Sequence, residues 1–362
     1  MAAYKDLIGQ KITKVTSNPG EPKTGQMWYN STSGTLRALG IIEAWSSASP
    51  QTIFREGGSA VMGTTTAGLI CGGSSPSAPY TNKTEEYNGS GWSAGGNLGT
   101  GRSAYGGAGT QTAGLTAGGY TGSNVTVSES YNGTSWSEGP DINTARRASG
   151  TCGTQTAGLL VGGYTTTAVT TVEEYNGSSW TTVNSAPQGN YSAGMAGIQT
   201  SAIQIAGATN PGQACFEYDG TNWTTGGSLT TGRSQGGYAG TTQDSAMAIS
   251  GETPPGPKTV NCEQYNGTSW SETVNVSTAG NPSGNSPGGS TLTAFFSSGQ
   301  SRPLATEEYN KSTNAITAAA FASMGAMGTS RYGHSAAGDK DAAVVVSGRP
   351  PGPSPTTNVE EY

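Results

Sequence analysis

The sequence predicts an all-β chain folded as a seven-bladed β-propeller, and three observations carry that prediction. First, one unit recurs along the chain: an apolar run, a double glycine, then Tyr-Asn-Gly-x-x-Trp. It is clearest at Tyr87-Asn88-Gly89 with Trp92, Tyr131-Asn132-Gly133 with Trp136 and Tyr175-Asn176-Gly177 with Trp180; degenerate copies follow at Tyr218/Trp223, Tyr265/Trp270 and Tyr309/Ile316. Second, these tyrosines recur every 43 to 47 residues, the length of one four-stranded blade. Third, only 11% of the 362 residues are charged and 58 are glycine. Disorder usually brings high charge; low charge with β-branched and aromatic residues at fixed phase suits short strands and tight turns.

Residues 1–44 precede the repeats. Within them Gly25 to Leu39 reads as a β-hairpin, after the turn signal Asn18-Pro19-Gly20. This segment is the expected attachment arm, with Trp28, Tyr29 and Leu36 as its contact residues.

Trp45 stands ten residues before Arg55, as Trp92 does before Arg102 and Trp223 before Arg233. It therefore opens the first unit. Taking Trp136 to Tyr175 as the type, the Trp begins an outer strand d. Ala148 to Gly153 is a small-residue inner strand a, Ala157 to Val161 the apolar strand b, and Val169 to Tyr175 strand c. Asn176-Gly177 closes a tight c–d hairpin, both residues tolerating positive φ.

Units begin at Trp45, Trp92, Trp136, Trp180, Trp223, Trp270 and Ile316, which makes seven. The last stops at Tyr362 without a strand d, and the first has a strand d without a partner. If Trp45 completes the blade that ends at Tyr362, the chain termini zip a seven-bladed ring spanning 45–362, and no radial edge stays open.

Loop lengths divide the faces. The a–b and c–d turns keep nearly constant length, whereas the b–c and d–a loops vary. These alternate loops share one face, so variation collects there, where repeat proteins commonly bind. Pro254-Pro255 and Pro350-Pro351 stiffen two of the variable loops and lower the ordering cost of binding. Tyr80, Tyr120 and Tyr164 either offer stacking area to a partner or cap blades. Arg55, Arg102, Arg146, Arg233 and Arg331 recur where strand a starts. They either ring the channel mouth for an anionic ligand or pair with loop carbonyls and carboxylates of a neighbouring blade. The pairing is favoured, because a ligand site would need one unit to differ.

Several chemistries are excluded or disfavoured. Formal net charge is −6 with no basic patch, which speaks against nucleic acid. No apolar run reaches 18 residues, so no membrane-inserted helix is expected. Met1 to Gln10 lacks the basic-then-apolar pattern of a signal peptide. Cys71, Cys152, Cys215 and Cys262 show neither disulfide nor metal spacing and read as small buried hydrophobes. His334 is the only histidine, too few for a Ser/His/Asp triad or a His-based metal site. The Glu-Glu pairs before Tyr87, Tyr175, Tyr309 and Tyr362 sit on strands, where adjacent side chains face opposite ways. No enzyme activity, cofactor or metal is expected.

The apolar run, double glycine, Tyr and Trp resemble the kelch repeat over residues 45–362. Unit four departs from it with Ala206-Gly207 and Asp219-Gly220, and unit six with Ser298-Gly299 and Ile316 in place of Trp. The segment Gly25-Gln26-Met27-Trp28-Tyr29-Asn30-Ser31-Thr32-Ser33-Gly34-Thr35-Leu36 resembles one in structural proteins of tailed bacteriophages, especially marine ones. That resemblance implies a virion protein, a tail fibre or tail-attached protein made in the host cytoplasm. Its residues 1–44 would dock on other tail proteins, its propeller would face a host-surface glycan or protein, and it would be homo-oligomeric in the virion. An architectural virion component without receptor contact is the alternative, and a carbohydrate-active propeller enzyme the remote one.

Overall fold

Each well-formed repeat folds as a four-stranded antiparallel sheet, because its Gly and Asn turns return the chain at fixed intervals. The computed structural model describes residues 13–17, 19, 26–32, 35–209, 212–253, 256–281, 289–297, 299, 304–317, 335–338, 343–346 and 359–361. Among them every regular element is a β-strand. The chain divides into two compact units, one of Met1–Gly40 with Thr313–Tyr362 and one of Ile41–Ser312. The second is the propeller.

Blade 1 comprises Ala60–Thr64, Ala67–Cys71, Thr84–Tyr87 and Trp92–Ala94 as strands a to d. Blades 2 to 5 repeat this order, their strands a starting at Gly106, Gly150, Gly194 and Gly237. Consecutive strands a pack on one another, which is why that strand is built of Gly and Ala. The cores lie between blades. Met62, Leu69 and Cys71 of blade 1, for example, pack with Leu98, Tyr105 and Tyr131 of blade 2; each such Leu or Met contributes about 1.5–3 kcal/mol by burial.

The c–d hairpin differs in detail from the expectation. Its Gly alone takes positive φ, 86° at Gly89 and 89° at Gly133. The Asn instead accepts backbone bonds through its side chain: Asn132 Oδ1 from the N–H groups of Thr134 and Ser135, both at 2.9 Å. Four residues thus separate the paired Tyr131 and Trp136, and a side-chain turn replaces a two-residue hairpin loop. Asp219 makes the same pair of bonds, to Thr221 and Asn222, so Asp219-Gly220 is a conservative departure.

The double glycine is likewise two different positions. The first has φ near 60°, and Ala206 (59°) and Ser250 (54°) occupy it in blades 4 and 5. The second has φ from 98° at Gly73 to 122° at Gly207, a region other residues essentially do not enter.

The ring has six blades, not seven. Strand b of the sixth is Thr293–Ser297 and its strand c lies in Thr306–Thr317; the strand Thr35–Ala48 pairs with the latter. Trp45 therefore completes the blade of Tyr309 instead of that of Tyr362. Trp45 and Tyr309 pack ring against ring at 5.3 Å between centroids, as the Tyr–Trp pairs of blades 1 to 5 do at 4.8–5.0 Å. Lys311 supports the join with an ion pair to Glu43 at 2.7 Å. Blade 6 then bonds to blade 1: Tyr87 Oη donates to Glu308 at 2.6 Å, as Tyr131 does to Glu86 at 2.5 Å. A ring already closed has no place for a seventh blade.

In the other unit, Thr13–Val15 pairs in parallel with Met27–Asn30, which forms the expected hairpin with the following strand, Tyr29 opposite Leu36. Trp28 is buried and Tyr29 exposed. Ser335–Gly338, Ala343–Val346 and Val359–Glu361, from the expected seventh repeat, form a three-stranded antiparallel sheet.

Candidate functional site

The recurrent arginines are buried inside their own blades. Arg55, Arg102, Arg146 and Arg233 are each 0% exposed. They pair with Glu85, Glu129, Glu173 and Glu263 on strand c. Arg55 also donates to the Gly72 carbonyl at 3.0 Å and Arg233 to that of Asn261 at 2.6 Å. The Glu in turn accepts backbone N–H groups of the d–a loop, from Gly99 to Glu129 and from Asn143 to Glu173, both at 2.7 Å. Desolvation pulls the Arg146 guanidinium below its usual pKa range, and Glu173 opposes that pull. These side chains are thus spent on loop anchorage within one blade, not across a neighbouring one, and do not form a ring of cations at the channel mouth. Arg331, Pro254, Pro255, Pro350, Pro351 and His334 lie outside the described residues.

Adjacent glutamates face opposite ways, as expected. Glu85 meets Arg55, while Glu86 accepts from Tyr131 of the next blade. The four cysteines are free and buried. Burial pushes the Cys71 and Cys262 thiols up to about 11 and those of Cys152 and Cys215 to about 12, which leaves them little nucleophilic character. Among the described residues no group of three or more His, Cys, Asp or Glu gathers as a metal site.

The concave feature is a basin of about 560 Å³ at the axial mouth on the variable face, within the ordinary size range of ligand sites. Its wall is encircled by backbone. Gly58, Ala104, Ala148, Ser192 and Gln235 occupy one repeat position, just before strand a, and all have φ between 53° and 70°. The last four donate their N–H groups to the carbonyl of the residue one blade before: Ala104 to Gly58 at 2.9 Å, Ala148 to Ala104 at 2.6 Å, Ser192 to Ala148 at 2.8 Å and Gln235 to Ser192 at 3.1 Å. Left-handed backbone at four non-glycine residues costs about 1 kcal/mol or more apiece. The circumferential bonds offset this strain and hold the mouth in one shape.

The residue preceding each ring position is not fixed, although serine recurs in blades 2 and 5. It is Gly57 in blade 1, with Glu56 beside it, then Ser103, Arg147, Tyr191 and Ser234. Each lies near the first residue of its own b–c loop through short bridges, such as Arg147 with Tyr164 and Ser103 with Tyr120. Blade 3 supplies the cation. The Arg147 guanidinium lies 4.5 Å from the Tyr120 ring centroid and 4.9 Å from that of Tyr164. It donates to Asn124 Oδ1 at 3.2 Å. Asn124 is itself fixed by donating to the carbonyls of Tyr164 and Thr165, at 3.0 and 2.9 Å. Tyr80 meets Tyr120 edge-on at 5.9 Å and Tyr164 meets Tyr191 at 5.3 Å. Tyr80, Tyr120 and Tyr164, expected as stacking residues or caps, thus belong to one arc that crosses four blades. Arg147, Tyr191 and Glu56 complete the constellation and were not singled out as site residues from sequence. Comparing the position after each recurrent arginine would have found them, because that is where the units disagree.

No protein-family model matches the chain, and no curated protein matches it. Among solved structures it is similar to that of YjhT, with a TM-score of 0.54 and 11% sequence identity over 74% of this chain and 99% of that one. At that identity the likeness concerns architecture alone: the chain has an all-β propeller fold.

Proposed function

We propose that this protein is a non-enzymatic recognition module, the kelch-like head of a tailed-phage virion protein, and that it binds host-surface material through the axial basin. The observation that carries the reading is the contrast around the mouth. Scaffold contacts repeat from blade to blade, whereas the position at the basin runs through glycine, serine, arginine, tyrosine and serine, with Glu56 added in blade 1. Selection for folding alone gives a repeat no reason to vary at one ring of positions. The aromatic arc supports binding, since tyrosines supply contact area at small entropic cost. The encircling hydrogen bonds support it too, because a fixed mouth loses little freedom when a ligand enters. The virion assignment is supported by the phage-like segment from Gly25 to Leu36, with the residues before Trp45 as the docking arm onto other tail proteins.

Antibody against the purified chain should label virions at the tail, and the pure chain should compete with virions for adsorption to host cells. Absence of label from virions would overturn the virion assignment. Labelling without competition would favour the architectural role instead.

A further inference from the structure

We infer that the basin takes an uncharged sugar unit, the end of a neutral glycan, and this rests on the recognition reading above. Charge placement around the mouth points to it. In a six-bladed ring blade 3 stands opposite blade 6, which lies between blades 5 and 1. Blade 3 brings Arg147 to the mouth. Blade 1 brings Glu56 to it, and blade 5 brings Glu252 beside Asn281, whose side-chain amide donates to Glu252 at 3.4 Å. The lining therefore carries one cation, Arg147, and one carboxylate, Glu56, on different blades, with Glu252 behind Asn281. Among the described residues no side chain bonds the Glu56 carboxylate, and Arg147 has one side-chain hydrogen bond, to Asn124.

An anionic ligand held by Arg147 would share the basin with the Glu56 carboxylate, and a cationic one would share it with Arg147. A polyol meets neither penalty. Its hydroxyls donate to Glu56 and accept from the guanidinium N–H groups left over after Asn124, and charged partners make hydrogen bonds roughly twice as strong as neutral ones. The rings of Tyr164 and Tyr191 give its C–H faces an apolar surface. The size is suitable, since 560 Å³ accommodates one or two sugar rings rather than a flat protein epitope.

The test uses the full chain and four probes: methyl glucoside, methyl galactoside, methyl mannoside and methyl glucuronide, titrated by ligand-observed NMR at low and high salt. At least one neutral glycoside should bind with an affinity that changes less than twofold with salt, and the glucuronide should bind at least tenfold more weakly. Glu56→Gln, which keeps shape, and Arg147→Met should each weaken the neutral ligand tenfold or more while the thermal transition stays in place. Tighter binding of the glucuronide, no binding of any probe, or neutral binding indifferent to both variants would overturn the inference. Adsorption competition separates this from the broader reading. If the sugars fail but the two variants no longer compete with virions, the basin still recognises the host and only the ligand class is wrong. If the variants compete as well as the parent, the basin reading falls with it.

Discussion

Trp45 packs against Tyr309 across the join between the start and the end of the propeller, the rings tilted by 46° with centroids 5.3 Å apart. Its indole N–H donates to the Val274 carbonyl at 2.9 Å, as Trp270 donates to Gly227 at 3.0 Å one blade earlier. The join thus reproduces an ordinary c–d hairpin with the covalent turn removed. Where the turn is missing, strand pairing with Thr306–Thr317 and these side-chain contacts hold the outer strand without a covalent link.

Trp45→Ala should accordingly be more damaging than the same change at Trp136, where the hairpin keeps the strand in place. Truncating a core aromatic costs about 3–5 kcal/mol and a half-buried one such as Trp45 or Trp136 less, but at Trp45 the loss also opens an edge. Chemical denaturation should show the larger drop for Trp45→Ala, with earlier proteolysis near residues 41–48. Equal losses at the two tryptophans would mean that the join is no weaker than a hairpin. A chain ending at residue 317 should keep the propeller's main unfolding transition, because the ring of Ile41–Ser312 closes without residues 318–362.

The buried ion pairs make a second, separable prediction. Blade 4 lacks both members, Asn190 standing at the arginine position and Phe216 at the glutamate position. Removing one partner of so buried a pair leaves a charge without its counter-ion; blade 6, with Gly280 at the arginine position, keeps Glu307 buried with its carboxylate accepting the Ser277 N–H at 2.9 Å. Arg146→Met alone should therefore destabilise by about 3–5 kcal/mol, and adding Glu173→Leu should cost far less than a second penalty of that size. A double-mutant cycle by urea denaturation measures the coupling. Additive losses would show that Glu173 acts only through the loop N–H groups of Asn143 and Thr144, not through the arginine.

Much of this architecture is legible because the repeat is a record of backbone geometry. The Tyr-Asn-Gly-x-x-Trp unit locates the c–d hairpins of blades 1 to 5, whereas Tyr309 and Ile316, read as a sixth, lie in the one strand Thr306–Thr317; the constant spacing locates the blades. The blade count is not legible, for a definite reason. Trp45 lacks an upstream tyrosine, and periodicity alone does not say whether Tyr309 or Tyr362 receives it. Sequence spacing is blind to which of two equivalent edges is nearer. The site is half legible. The tyrosines stand out as loop aromatics, but Arg147 is hidden behind Arg146, whose periodic recurrence marks the pair as structural. The ring of left-handed residues is invisible, since Ala104, Ala148, Ser192 and Gln235 carry no glycine signature. Tertiary hydrogen bonds impose that conformation against local preference.

Gly207 tests the two-position account of the double glycine. Its neighbour Ala206 already carries a side chain at φ 59°, but Gly207 has φ 122°, and a Cβ there would fall 2.2 Å from Asn190 Oδ1. Gly207→Ala should cost about 3 kcal/mol, at the upper end for backbone strain because of the added clash. Ala206→Gly should stay within about 1 kcal/mol. Thermal melts of the two variants decide it, and comparable shifts would contradict the distinction.

Stability at high pH should be set by the tyrosines that tie blade to blade. Tyr131 donates to Glu86 and Tyr265 to Glu217, each at 2.5 Å. Burial first, then the hydrogen bond to the carboxylate, pushes both phenols up to about 12. Tyr87 and Tyr218 are raised for the same reasons. Unfolded tyrosines ionise near pH 10, so the folded state favours the neutral phenol. Its stabilising contribution is complete below about pH 10 and is lost as pH rises toward 12, because the unfolded chain gives up protons that the folded one retains. Melting temperature measured from pH 8 to 12 should be flat at first and then fall steeply above about pH 10. Tyr131→Phe should lower the plateau, since the inter-blade bond is gone, and make the alkaline fall shallower, since one titrating group has been removed. A parallel downward shift at every pH would show that the lost hydroxyl stabilises the fold without changing proton release, and that the Glu86 contact does not couple the ring to it.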